Sequence, residues 1–141
     1  MDLMIEFVRE NLLLSGIWIV LVLLLVYSFV SEILSPIKQL NTHEATLLMN
    51  KEDAILLDIR AAKEFKTGHI AGARQLKAEE VTKGDFKRLE KDKSKPIIVA
   101  CAMGASAKKT AVQMTKAGFE RVTVLKGGMG AWQQANLPLT K

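Results

Sequence analysis

The chain has 141 residues, 49% hydrophobic and 25% charged, with 20 Lys and Arg against 15 Asp and Glu and a formal net charge of +5. No repeat, low-complexity run or second large domain is visible, so fibrous, disordered and multidomain classes are excluded. The single cysteine, Cys101, has no partner for an internal disulfide.

Residues 1–11 form a short tail carrying Asp2, Glu6 and Glu10 against Arg9. From Leu12 to Val30 the sequence is LLLSGIWIVLVLLLVYSFV, without a charge between Glu10 and Glu32. As a helix, this run spans about 28 Å, close to the hydrocarbon thickness of a bilayer. It predicts one transmembrane helix over residues 12–30. A cleaved signal peptide fits less well, because the leader is acidic, the apolar run is too long and no clear small-x-small cleavage site follows. A buried core helix fits least, since every face is apolar and the remaining chain is too small to enclose it.

A juxtamembrane linker at residues 31–39 leads to a domain predicted over residues 40–141. Residues 38–141 hold 19 Lys and Arg against 11 Asp and Glu, a net charge of +8. Beside an anchor, such charge attracts anionic lipid, though a solvated lysine-rich surface explains it more simply. Nucleic acid is not an expected partner: the lysines of Lys83–Lys95 alternate with acids, aromatics for base stacking are few, and no nucleic-acid motif is present.

In chain order, Glu44–Met49 reads as helix, Ala54–Ile59 as strand, Ala61–Lys66 as a short helix and Ala73–Leu76 as a short strand. Glu79–Lys91 is polar and helix-rich. Ile97–Ala100 is a fully apolar strand, Ala105–Ala117 a helix, Val122–Leu125 a strand and Ala131–Asn136 the last segment. Ala107, Ala111 and Met114 fall on one helical face, and Gly118 with Phe119 provides a glycine stop and an apolar contact. Strands alternating with helices predict an α/β domain with a mainly parallel sheet. Ligands of such sheets bind beyond the carboxyl ends of the strands.

Cys101 stands at that end, between Pro96-Ile97-Ile98-Val99-Ala100 and the small-residue turn Ala102-Met103-Gly104-Ala105-Ser106. A helix start offers unpartnered N–H groups and partial positive charge, which stabilise a thiolate, the nucleophilic form. The N–H groups from Ala102 to Ser106 are expected to converge on the sulfur, with Gly104 free to take backbone angles that other residues avoid. An inert core cysteine is the bland alternative.

Leu57-Asp58-Ile59-Arg60, followed by Glu64-Phe65 and Gly68-His69-Ile70-Ala71-Gly72-Ala73, resembles the first signature of a rhodanese domain. Val124-Leu125-Lys126-Gly127-Gly128-Met129, with Ala131-Trp132 and Leu137-Pro138, resembles its closing signature. Cys101 falls between them, where that family keeps its catalytic cysteine. The resemblance covers nearly all of residues 40–140, and the whole chain is similar to small bacterial rhodanese-like proteins with one N-terminal transmembrane helix. It implies a five-stranded, mainly parallel sheet flanked by helices and a sulfurtransferase that carries sulfane sulfur as a persulfide on Cys101. The implied donor is thiosulfate or a persulfide, the implied acceptor a thiol or another nucleophile. No cofactor or metal is implied: His43 and His69 have no ligand spacing to Cys101.

The loop departs from the family pattern at Ser106, where many active rhodaneses have an arginine for the sulfonate of thiosulfate, and at Ala102, another position that is often basic. Lys108 and Lys109 point in helical directions about 100° apart, so at most one faces the pocket. An alternative reading therefore keeps the fold as a membrane-tethered module recruiting inner-membrane proteins. A phosphatase needs a loop one residue longer with a closing arginine, and Ala107 stands there. A redox sensor lacks a resolving cysteine. Asp58 and Arg60 straddle a strand end and Glu64 stands four residues beyond Arg60, a spacing suited to a helix-surface ion pair or a pocket wall, with a structural role the favoured reading. His69 reads as a turn-fixing hydrogen-bonder, Phe65, Phe119 and Trp132 as core, and Gly127-Gly128 as a close backbone approach to the cysteine loop. The small excess of cations after the span and the free thiol place the domain on the cytoplasmic face of a bacterial inner membrane.

Overall fold

A computed structural model describes residues 1–33 and 37–141. It divides into two compact units, Met1–Pro36 and Ile37–Lys141. In the first, α1 (Asp2–Glu10) precedes α2 (Leu12–Ile33), and the segment Leu12–Ser31 is long and apolar enough to cross a membrane. The expected tail is thus helical, and α2 runs three residues past Val30. Part of the expected linker, residues 34–36, lies outside the described residues.

The second unit is built on five parallel strands in the order β1-β5-β4-β2-β3, with β1 at Lys38–Leu40, β2 at Ile55–Asp58, β3 at Arg74–Gln75, β4 at Pro96–Ala100 and β5 at Arg121–Leu125. Strand β4 is central and buried throughout, as its unbroken apolar run requires when both faces of a parallel sheet are covered. Side chains alternate between two cores. Ile97, Val99 and Cys101 face a layer with Ala107, Ala111, Met114, Phe86, Leu89 and Phe119, while Ile98 and Ala100 face Ala45, Ile70, Met129 and Trp132. The two-residue strand period therefore sends the Cys101 side chain to the face covered by α6 (Ala105–Lys116).

Helix α3 (Thr42–Glu52) is longer than expected because Asn41 and Glu44 form a capping box. The Glu44 N–H donates to Asn41 Oδ1 at 2.8 Å, and the Asn41 N–H donates to Glu44 Oε2 at 2.9 Å. Strand β1 escaped the sequence reading, since Lys38-Gln39-Leu40 is a polar edge with one buried side chain. The Glu79–Lys91 stretch splits into α5 (Ala78–Lys83) and a 3-10 turn (Lys87–Asp92), separated at Gly84 with φ of +65°. Helix α4 (Ala62–Thr67) follows β2, and α7 (Gly128–Gln134) follows β5. Helix α6 ends as expected: Gly118 takes φ of +99° and the Phe119 N–H donates to the Met114 carbonyl at 3.1 Å.

Candidate active site

Cys101 is 6% exposed, directly beyond the last residue of β4. Gly104 N-caps α6 with φ of +98°, and this left-handed turn aims its N–H at Cys101 Sγ, 2.8 Å away. Gly104 is buried, whereas Ala102, Met103, Ala105 and Ser106 are exposed. Among the expected donors from Ala102 to Ser106, Gly104 makes the described bond to sulfur. Ser106 directs its carbonyl to the Thr110 hydroxyl at 3.2 Å. Lys108 is half-buried and Lys109 exposed.

The opposite side of the loop is held by backbone. Met129 donates its N–H to the Cys101 carbonyl at 2.8 Å, and Gly130 donates to the Ala102 carbonyl at 3.0 Å. With their carbonyls engaged by the start of α7, the loop peptides are fixed in orientation and the Gly104 donor stays on sulfur. Gly127 and Gly128, with φ of +73° and +59°, bring the two segments together. The expected close approach is therefore present. The two hydrogen bonds that use it carry no side-chain signal, and the Gly-Gly pair is the one trace of them in the sequence.

The first signature supports the neighbouring strand end. Asp58 is fully buried, pairs in register with Ala100, and accepts from Arg60 three ways: from the backbone N–H at 3.0 Å, from Nε at 3.0 Å and from Nη2 at 2.8 Å. The same Nη2 donates to the Gly68 carbonyl at 2.7 Å, tying β2 to the loop after α4. Glu64 instead accepts from the Ala61 N–H at 3.3 Å, so it caps α4. His69 is fixed through Nδ1, 2.9 Å from the Phe65 carbonyl, and its backbone pairs with Thr140. Phe65, expected in the core, is half-buried and stacks on the His69 ring with centroids 3.9 Å apart. Trp132 and Phe119 are core residues.

Removing one partner of a buried, multiply bonded ion pair strands the other, at a cost of about 3 kcal/mol or more. Asp58→Ala is thus expected to lower the denaturant midpoint of unfolding followed by circular dichroism. A midpoint equal to that of the parent protein would show that the Asp58–Arg60 pair does not hold this end of the sheet.

The domain is thus a parallel five-stranded α/β fold with a thiol directly beyond the carboxyl end of its central strand and a helix-start N–H on the sulfur. The family model described as the Rhodanese-like domain matches residues 41–135, and the chain belongs to that family. It is 38% identical over 141 residues to the uncharacterized protein YibN of Escherichia coli K12, covering 100% of this chain and 99% of that one. It is 36% identical over 103 residues to the thiosulfate sulfurtransferase GlpE of Glaesserella parasuis, covering 72% of this chain and 91% of that one. A rhodanese-related protein of Thermoplasma volcanium superposes with a TM-score of 0.62 at 24% identity, over 73% of this chain and 97% of that one, a likeness of fold.

Proposed function

We propose that the protein is a membrane-anchored sulfurtransferase that carries sulfane sulfur on Cys101. The Cys101 thiolate attacks the outer sulfur of a donor. With thiosulfate, the new sulfur–sulfur bond forms as the donor's own breaks, and sulfite leaves with the electron pair. With a persulfide donor, the leaving group is a thiolate. An acceptor thiolate then attacks the outer sulfur of the Cys101 persulfide and releases the Cys101 thiolate, so oxidation state is conserved over the cycle. The observation that carries this reading is the Gly104 N–H aimed at Cys101 Sγ at 2.8 Å, a fixed donor for an anionic sulfur in a largely water-excluded place. Relatives named thiosulfate sulfurtransferase support the same chemistry. The donor turn, Ala102 to Ser106, forms the substrate-binding loop.

Anchoring rests on the apolar helix Leu12–Ser31. The cations that follow it, and a free thiol suited to a reducing compartment, favour the cytoplasmic face of a bacterial inner membrane. The test is intact-mass spectrometry of the full-length protein after exposure to thiosulfate and to a persulfide donor. A gain of about 32 Da, reversed by an acceptor thiol, is the expected result. A folded protein that takes up no sulfur from either donor refutes it.

One observation favours the interaction-module reading. Met103 is 76% exposed, the most exposed large apolar side chain described between residues 37 and 141, on a loop that contains no charged residue. The Met103 thioether offers an adaptable apolar contact to a protein, and the loop offers no cation to a small dianion.

The uncharged loop yields a second prediction. Ser106→Arg is expected to lower the KM for thiosulfate roughly tenfold, the factor that corresponds to about 1.4 kcal/mol of charge-assisted hydrogen bonding to the sulfonate. The KM for an alkyl persulfide, which has no sulfonate for the guanidinium to grip, should stay within about twofold. Equal improvement for both donors would show that loop charge does not set donor preference.

A further inference from the structure

Helix α1 places Leu3, Met4, Ile5, Phe7 and Val8 on one continuous arc of about 200°, at about 100° per residue, and gathers Asp2, Glu6, Arg9 and Glu10 on the other. All five apolar side chains are exposed, Leu3 at 82% and Phe7 at 63%. No residue of α1 is buried. A nine-residue helix with such a face is marginal in water on its own.

One residue joins α1 to α2. Asn11 leaves helical geometry at φ of −123° and ψ of 48°. Its backbone N–H and its Nδ2 both donate to the Phe7 carbonyl, at 3.1 and 3.3 Å, which closes α1. Its carbonyl accepts from the Ser15 N–H at 2.8 Å, which opens α2. A single residue reaches no more than about 3.6 Å. The end of α1 is therefore pinned where the apolar run of α2 begins. Where α2 fills the hydrocarbon, that point lies in the headgroup layer.

We propose that α1 lies in the lipid headgroup layer, along the membrane surface, with Leu3, Met4, Ile5, Phe7 and Val8 turned into the acyl boundary and Asp2, Glu6 and Glu10 toward water. The inference rests on α2 spanning the bilayer and is independent of the chemistry at Cys101. Simple prolongation of α2 into water leaves all five apolar side chains solvated, whereas rotation at Asn11 buries them together. The polar face has three carboxylates and one guanidinium, so apolar burial, not attraction to anionic lipid, holds the helix down.

The test uses the full-length chain with Cys101→Ser, in nanodiscs of neutral phosphatidylcholine. Spin labels are placed one at a time by Met4→Cys, Glu6→Cys, Val8→Cys, Glu10→Cys and, in mid-α2, Val22→Cys. Collision with oxygen reports lipid, and collision with a water-soluble nickel chelate reports solvent. Labels at positions 4 and 8 are expected to meet nickel at least threefold less than labels at 6 and 10 while remaining open to oxygen, with position 22 open to oxygen alone. Equal nickel access at all four α1 positions overturns the proposal, because α1 then stands in water. Positions 4 and 8 shielded from both reagents also overturn it and assign the face to a second copy of the chain. A solvent-exposed position 22 overturns the span itself, a failure distinct from that of α1.

Discussion

Cys101→Ser is expected to abolish sulfur uptake from every donor while leaving the fold intact. Serine is close to cysteine in shape, its hydroxyl can accept from the Gly104 N–H in place of Sγ, and the Met129 and Gly130 N–H groups hold the Cys101 and Ala102 carbonyls, which the substitution does not touch. The hydroxyl is a far poorer nucleophile than the thiolate at neutral pH and cannot leave again from a transferred sulfur. Intact-mass spectrometry should show the parent protein gaining about 32 Da and the variant gaining none. The loss in transfer rate should reach at least about a thousandfold, in the range found when a nucleophile is deleted. Residual transfer within tenfold of the parent would mean that sulfur passes directly between donor and acceptor and that Cys101 is a structural residue.

How much of this site was legible follows from where its information resides. The central strand was readable because Pro96–Ala100 is buried on both faces and so is apolar at every position. Cys101 was readable from its place after that strand and before a turn of small residues. Strand β1 was not, because an edge strand needs one buried side chain, here Leu40, and otherwise looks like linker. The extent of α3 was written in Asn41 and Glu44, a capping pair that lies ahead of any apolar periodicity. The split at Gly84 was masked by good helix formers on both sides, although the glycine itself marks the stop. Arg60 and Glu64 have the spacing of a helical ion pair, yet Arg60 precedes α4 and its guanidinium turns back to the buried Asp58 carboxylate. A charge buried in the sheet takes the strongest partner within reach, and sequence spacing does not show which one that is.

The same limit applies at the rim of the site, where Gly128→Ala is expected to have the largest effect among glycine-to-alanine changes in the protein. A Cβ at Gly128 falls 2.2 Å from the Cys101 carbonyl oxygen and 2.9 Å from the Ala102 carbonyl carbon. Both obstacles are backbone, so no side chain can swing aside, and φ of +59° adds strain for any residue with a Cβ. Relief requires the start of α7 to retreat, breaking the Met129 and Gly130 hydrogen bonds that orient the Cys101 loop. The combined cost should be about 4 kcal/mol or more, at the upper end for a single substitution. Gly72→Ala is the matched control: its φ is +80°, nothing lies within 4 Å of the new Cβ, and backbone strain alone costs about 1 kcal/mol. The readout is the denaturant midpoint of unfolding followed by circular dichroism, together with sulfur uptake under conditions where each variant is folded. Gly128→Ala should lose both, whereas Gly72→Ala should shift the midpoint slightly and keep uptake. Equal behaviour of the two variants would show that the cysteine loop does not depend on its contact with α7, and that the Gly104 N–H reaches the sulfur without that support.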